Sequence, residues 1–110
     1  MELKKLKFKN ELCSLILKGE KTTTWRIFDD KNIAEGDKFI FINSDTGEEF
    51  AKAKITEVKE TAFKYLNDND WDGHEKFSSP EEMYKTYSKY YKTKVTKNTI
   101  VKIIKFNIER

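Results

Sequence analysis

Four side chains in this sequence could work together on an acyl group: Lys21, Thr24, Arg26 and Glu75. A threonine hydroxyl is a poor nucleophile until a base takes its proton, and a lysine can be that base once burial or a nearby positive charge lowers its pKa. Lys21 and Thr24 lie three residues apart across what reads as a turn into a strand. Arg26 would supply the nearby charge, and Glu75 is the candidate proton shuttle or activator of water. Taken singly, each has a plain structural reading. Lys21 would be a solvated turn lysine, Thr24 a strand filler, Arg26 the partner of Asp29 or Asp30, and Glu75 a surface carboxylate.

The stretch that holds three of them is Gly-Glu-Lys-Thr-Thr-Thr-Trp-Arg, from Gly19 to Arg26. If the run from Thr22 is a strand, its side chains alternate between faces. Thr22, Thr24 and Arg26 then share one face, and Thr23, Trp25 and Ile27 the other. The expectation is that the first set points into a cavity while Trp25 is buried on the opposite side. Arg26 could hold a phosphate or the carbonyl edge of a base through its planar fork.

Around this stretch the pattern predicts strand, helix, three strands, two helices and a last strand. Leu3 to Phe8 reads as an edge strand whose lysines discourage mispairing. Asn10 is placed to cap a helix over Glu11 to Lys18, ended by Gly19 in the left-handed region. Strands follow over Thr22 to Phe28, Lys38 to Asn43 and Glu48 to Lys59. The four consecutive apolar residues Phe39 to Ile42 suggest burial on both faces. Thr61 to Leu66 reads as a short helix capped by Thr61, and Asn67 to Gly73 as an irregular acidic loop. Ser79-Pro80-Glu81-Glu82 is a helix start with proline in the first turn, and that helix runs to about Tyr91. Thr99 to Ile108 is the final strand. The order supports one α+β domain over residues 1–110, with a sheet that curls into a barrel.

Composition narrows the partners. A net charge of +3 and a pI near 8.8 permit a polyanion without demanding one. The charged fraction is 37%, and the aromatic 14% must carry much of the core. Cys13 is the only cysteine, sits in an apolar helical pattern, and reads as a small buried residue. No signal-peptide or membrane-spanning pattern is found, so a soluble cytoplasmic protein is expected. No metal or other cofactor is expected: Asp68, Asp70 and Asp72 do not have the glycine and glutamate spacing of a calcium loop.

The pattern Gly19-x-Lys21-x-x-Thr24-x-Arg26, followed by Gly36-Asp37, by Gly73-His74-Glu75-Lys76-Phe77 and by the Ser-Pro-Glu-Glu helix start, resembles the ASCH domain family. That family is PUA-like, which implies a small curled β-barrel of about five to six strands with flanking helices. It includes small amidohydrolases that remove the acetyl group from N4-acetylcytidine, using a lysine, a threonine and a downstream glutamate. The resemblance places Lys21 as base, Thr24 as nucleophile and Glu75 as acid/base; were the loop shifted, Asp70 or Asp72 would replace Glu75. A non-catalytic RNA-binding module is the alternative, and a ribonuclease a third.

Substrate or RNA contacts are expected from Thr22, Arg26, Trp71, Lys89, Lys92 and Lys94. Trp71 could stack on a base, or pack as a lid. The lysines belong to the Tyr84 to Lys97 tract, whose alternation of tyrosine and lysine suits single-stranded RNA. The same tract also reads as an amphipathic helix with its tyrosines turned inward. His74 reads as a loop histidine.

Overall fold

The longest strand dictates the architecture. The computed structural model describes residues 3–27 and 31–109. Within them β4 runs Glu49–Ala62, fourteen residues. At full extension that is roughly 45 Å, yet the longest dimension of the molecule is 36 Å. The strand therefore bends, and its register against β5 slips between Ile55 and Glu57. A bulge of this kind sharpens twist and curls the sheet.

The other elements are β1 (Lys4–Phe8), α1 (Asn10–Leu17), β2 (Thr23–Arg26), β3 (Lys38–Asn43), α2 (Asp68–Trp71), α3 (Pro80–Tyr91) and β5 (Ile100–Glu109). The sheet order is β1-β3-β4-β5-β2. β1 runs parallel to β3, and every other pair is antiparallel. The result is a five-stranded curled half-barrel with three helices, an α+β fold. β1 and β2 are its two edges.

The sheet divides two cores, and β5 alternates between them. Ile104 and Phe106 join Phe39, Phe41, Leu6 and Ile55 on one face, plugged by Cys13 and Ile16 of α1. Val101 and Ile103 join Trp25, Phe63, Met83 and Val95 on the other, covered by α3. Burial pushes the Cys13 thiol pKa up, as for a packing residue.

Several local expectations give way to tertiary contacts. Asn10 does not cap α1 with its side chain; Lys9 holds the cap position, and the Asn10 N–H donates to the Asp45 carboxylate at 2.9 Å. The β3–β4 turn thus caps the helix from outside. Thr61 and Ala62 start no helix; they remain in β4 opposite Val101 and Ile100, and only Phe63–Tyr65 forms a 3-10 turn. The acidic loop contains α2, whose Asn67 and Asp70 make reciprocal capping bonds. Phe39 and Phe41 are fully buried while Ile40 and Ile42 are half-buried, so β3 does have an inner face. Phe28, Asp29 and Asp30, expected to end β2 and to pair with Arg26, lie outside the described residues.

Candidate functional site

Two glycines bring the site together. Gly19 takes a φ of 80° after α1, and the N–H groups of Glu20 and Lys21 both return to the Leu15 carbonyl. That wrap turns the Lys21 side chain inward, where it is 2% exposed. Gly73 also has a positive φ, 79°, and packs so tightly on Thr22 that a Cβ would fall 2.0 Å from its hydroxyl oxygen. Its carbonyl accepts from the N–H groups of both Thr22 and Thr23. Further bonds fix the same loop: Thr23 Oγ1 donates to the Asp72 carbonyl at 2.6 Å, and Trp25 Nε1 to the Asp70 carbonyl at 3.2 Å.

With the loop held there, Glu75 meets Lys21. Lys21 Nζ donates to Glu75 Oε2 at 2.6 Å and to the Thr23 carbonyl at 2.8 Å. Burial pushes the Lys21 pKa down, against the pull of Glu75. Burial alone would raise the Glu75 carboxyl, but the Lys21 charge and the hydrogen bonds outweigh it and hold it below the usual range. Asp70 and Asp72 do not compete for this position. Asp70 is buried, with both oxygens 3.1 Å from Lys59 Nζ, and Asp72 is exposed.

His74 is no loose loop histidine. Its ring stacks on Trp25 at 3.8 Å and 16°. Nδ1 lies 2.8 Å from the Glu75 carbonyl. A carbonyl only accepts, so Nδ1 bears the proton, and the Tyr87 hydroxyl donates to Nε2 at 3.3 Å. Burial and the Lys21 charge push the His74 pKa down to about 4, so the ring is neutral at ordinary pH.

Thr24, Arg26 and Glu75 line a cleft of about 160 Å³ walled by Phe77, Tyr87 and Tyr91. That is below the ~300–1,000 Å³ of drug-sized sites and suits a single planar ring. Lys21 sits behind Glu75 rather than in the wall. Among the described residues the Thr24 hydroxyl makes no hydrogen bond to Lys21 or Glu75. Trp25 is buried, as strand parity requires, yet it also borders the cleft.

The structure does not bring every expected contact to the cleft. Thr22 is exposed against Gly73. Trp71 packs edge-on against Trp25 at 4.6 Å, in the second core. Lys89, Lys92 and Lys94 are exposed and do not line the cleft; Lys89 is on the face of α3 turned away from Tyr87, Tyr90 and Tyr91. Besides Arg26, two basic residues line it that escaped the sequence reading, Lys7 and Lys9. Nothing in the sequence places β1 beside the cleft that β2 borders. Among the described residues no group of His, Cys, Asp and Glu is arranged to hold a metal ion, and no helix is long and apolar enough to cross a membrane.

The curled half-barrel with its flanking helices is that of an ASCH-type domain. The chain belongs to the ASCH domain family, whose family model matches residues 2–109. Among solved structures it is similar to protein EF3133 from Enterococcus faecalis V583, with a TM-score of 0.81 at 15% identity, covering 98% of this chain and 81% of that one. It is similar to an ASCH domain from Lactobacillus crispatus JV V101, with a TM-score of 0.68 at 16% identity, covering 90% and 70%. The third is protein PF0455 from Pyrococcus furiosus, with a TM-score of 0.66 at 20% identity and 97% of each chain covered. At these identities the likeness is one of fold. No curated protein matches the chain significantly.

Proposed function

We propose that this protein is an amidohydrolase that removes the acyl group from N4-acetylcytidine-like nucleosides. The observation that carries the reading is the buried Lys21 held 2.6 Å from Glu75, with Glu75 and Thr24 lining one aromatic cleft. A base entering the cleft displaces water from Glu75, and desolvation favours the neutral form of the pair, with the proton on Glu75. The Lys21 amine then takes the Thr24 proton as the hydroxyl oxygen attacks the acyl carbonyl. Arg26 binds the base. The C–N bond breaks as Glu75 returns its proton to the exocyclic nitrogen, which leaves as the free amine. Water, deprotonated by the Glu75 carboxylate, then cleaves the acyl-Thr24 ester, and Lys21 returns the hydroxyl proton. The products are cytidine and acetate.

The test is cytidine formation from N4-acetylcytidine, followed by chromatography, with steady turnover expected. A protein that binds the nucleoside without turning it over defeats the reading. The alternative, a non-catalytic module for nucleosides or RNA, is favoured by one observation: Thr24 has no hydrogen bond to either presumed partner. Catalytic contacts in unliganded sites are often loose, so this does not decide against hydrolysis.

A further inference from the structure

The wall of the cleft opposite Thr24 takes no part in this reaction. The half-barrel is unclosed, and β1 and β2, its edges, border the cleft from either side. Leu6 and Phe8 turn inward to the core, whereas Lys7 and Lys9 are exposed along the cleft wall. Lys9 Nζ sits 5.7 Å from the centroid of the Tyr90 ring, which is 57% exposed, so its charge is at the mouth.

The charges in this wall are unbalanced. Lys4, on the same strand, is held by Asp37 at 3.1 Å. Lys7 and Lys9 have no carboxylate within ion-pair distance among the described residues. Among the described residues lining the cleft, Lys7 and Lys9 face a single carboxylate, Glu75, and that is matched by Lys21. The cleft therefore carries a positive field, which a neutral nucleoside leaves unused and an anion is drawn to. With room for one ring, the cleft leaves the sugar and its substituents at the mouth, beside Lys9.

We propose that the site takes a phosphorylated nucleoside, its base in the aromatic cleft and its phosphate on Lys7 and Lys9. The proposal rests on the reading of the cleft as a nucleobase site. The phosphate can belong to a free mononucleotide or to a nucleotide within an RNA strand, and the experiment separates the two. Intrinsic fluorescence titrations of the full chain compare cytidine, cytidine 5′-monophosphate and a cytidine trinucleotide at low and high salt. The Lys7→Ala/Lys9→Ala double variant is run in parallel, with a thermal melt to verify folding.

At low salt a phosphorylated ligand should bind about tenfold or more tightly than cytidine. That advantage should shrink towards onefold in the double variant and as salt rises. A gain already present with the monophosphate assigns the site to free nucleotides; a gain only with the trinucleotide assigns it to a strand. Equal affinities for all three ligands, or an advantage that survives in the double variant, overturn the proposal. If none of the three binds, the nucleobase reading falls with it. Hydrolysis of N4-acetylcytidine without a phosphate advantage would leave the reaction and remove the phosphate subsite.

Discussion

Two lysine–carboxylate pairs tie the Asn67 to Glu75 segment to the sheet, and they are built in opposite senses. In the Lys59–Asp70 pair the acid is the buried partner, 1% exposed, and the lysine reaches in from a side chain that is 39% exposed. Both Asp70 oxygens face Lys59, and Oδ2 also accepts the Asn67 N–H that starts α2. In the Lys21–Glu75 pair the lysine is buried, 2% exposed, and the acid is 32% exposed at the cleft. Lys21 engages only Oε2 of Glu75. The first pair is a closed joint, with its carboxylate fully committed to fold contacts. The second hides its lysine and turns its carboxylate towards the cleft, the arrangement that the proposed hydrolysis requires.

Breaking the second pair should abolish chemistry. Lys21→Arg keeps the charge but cannot give up a proton at ordinary pH, so turnover of N4-acetylcytidine should fall about a thousandfold or more. Thr24→Ala should be as damaging, and Thr24→Ser should retain part of the rate because the hydroxyl remains. Initial-rate measurements decide. Full activity in Lys21→Arg would reduce the pair to a structural contact and erase the contrast.

The next effect is on stability against pH. In the unfolded chain His74 titrates near its ordinary 6.5, but in the folded protein only at about 4. As pH falls, the unfolded state binds the proton first. The stability tied to the neutral ring is whole above about pH 6.5 and is lost as pH drops towards 4, about 3 kcal/mol in all. Urea melts at pH 7 and pH 4.5 should therefore converge in His74→Gln relative to the parent chain. An identical pH slope in the two proteins would rule out a buried neutral histidine.

The smallest expected effect sharpens the contrast from the structural side. Lys59→Met leaves the Asp70 charge buried without its partner and should lower the unfolding free energy by about 2 kcal/mol, less than a fully buried pair because Lys59 is partly solvated. Turnover per folded molecule should stay within about twofold. A loss of turnover on the scale of Lys21→Arg would mean that the two pairs are not separable.

How much of this could be read in the sequence depends on how local the cause is. The two-residue period of a strand was enough to put Thr24 and Arg26 on one face and Trp25 on the other, because β-branched residues favour that geometry and alternation follows from it. It failed for Thr22, whose place is set by its contact with Gly73, a residue fifty-one positions away. The Asn10 cap failed similarly, since Asp45 reaches α1 from another turn. The burial of His74 was illegible because it is created by Trp25 and Tyr87 from two different elements. Lys7 and Lys9 became candidates only once the sheet order had set β1 and β2 as the facing edges.

That sheet order also governs when the site can exist. Among the described residues β2 pairs only with β5, and the ladder that opposes Thr24 to Ile104 closes a loop of about eighty residues. Such a closure is slow to find, and a nascent chain must wait for β5 to leave the ribosome. Until then Thr24 and Trp25 have no strand to lie against, and an unpaired β-rich segment is open to other chains. Lys21 and Arg26, which flank this segment, discourage such contacts by mutual repulsion between copies. The same two charges that end beside Glu75 and in the cleft wall would thus keep copies of the chain apart in its first moments.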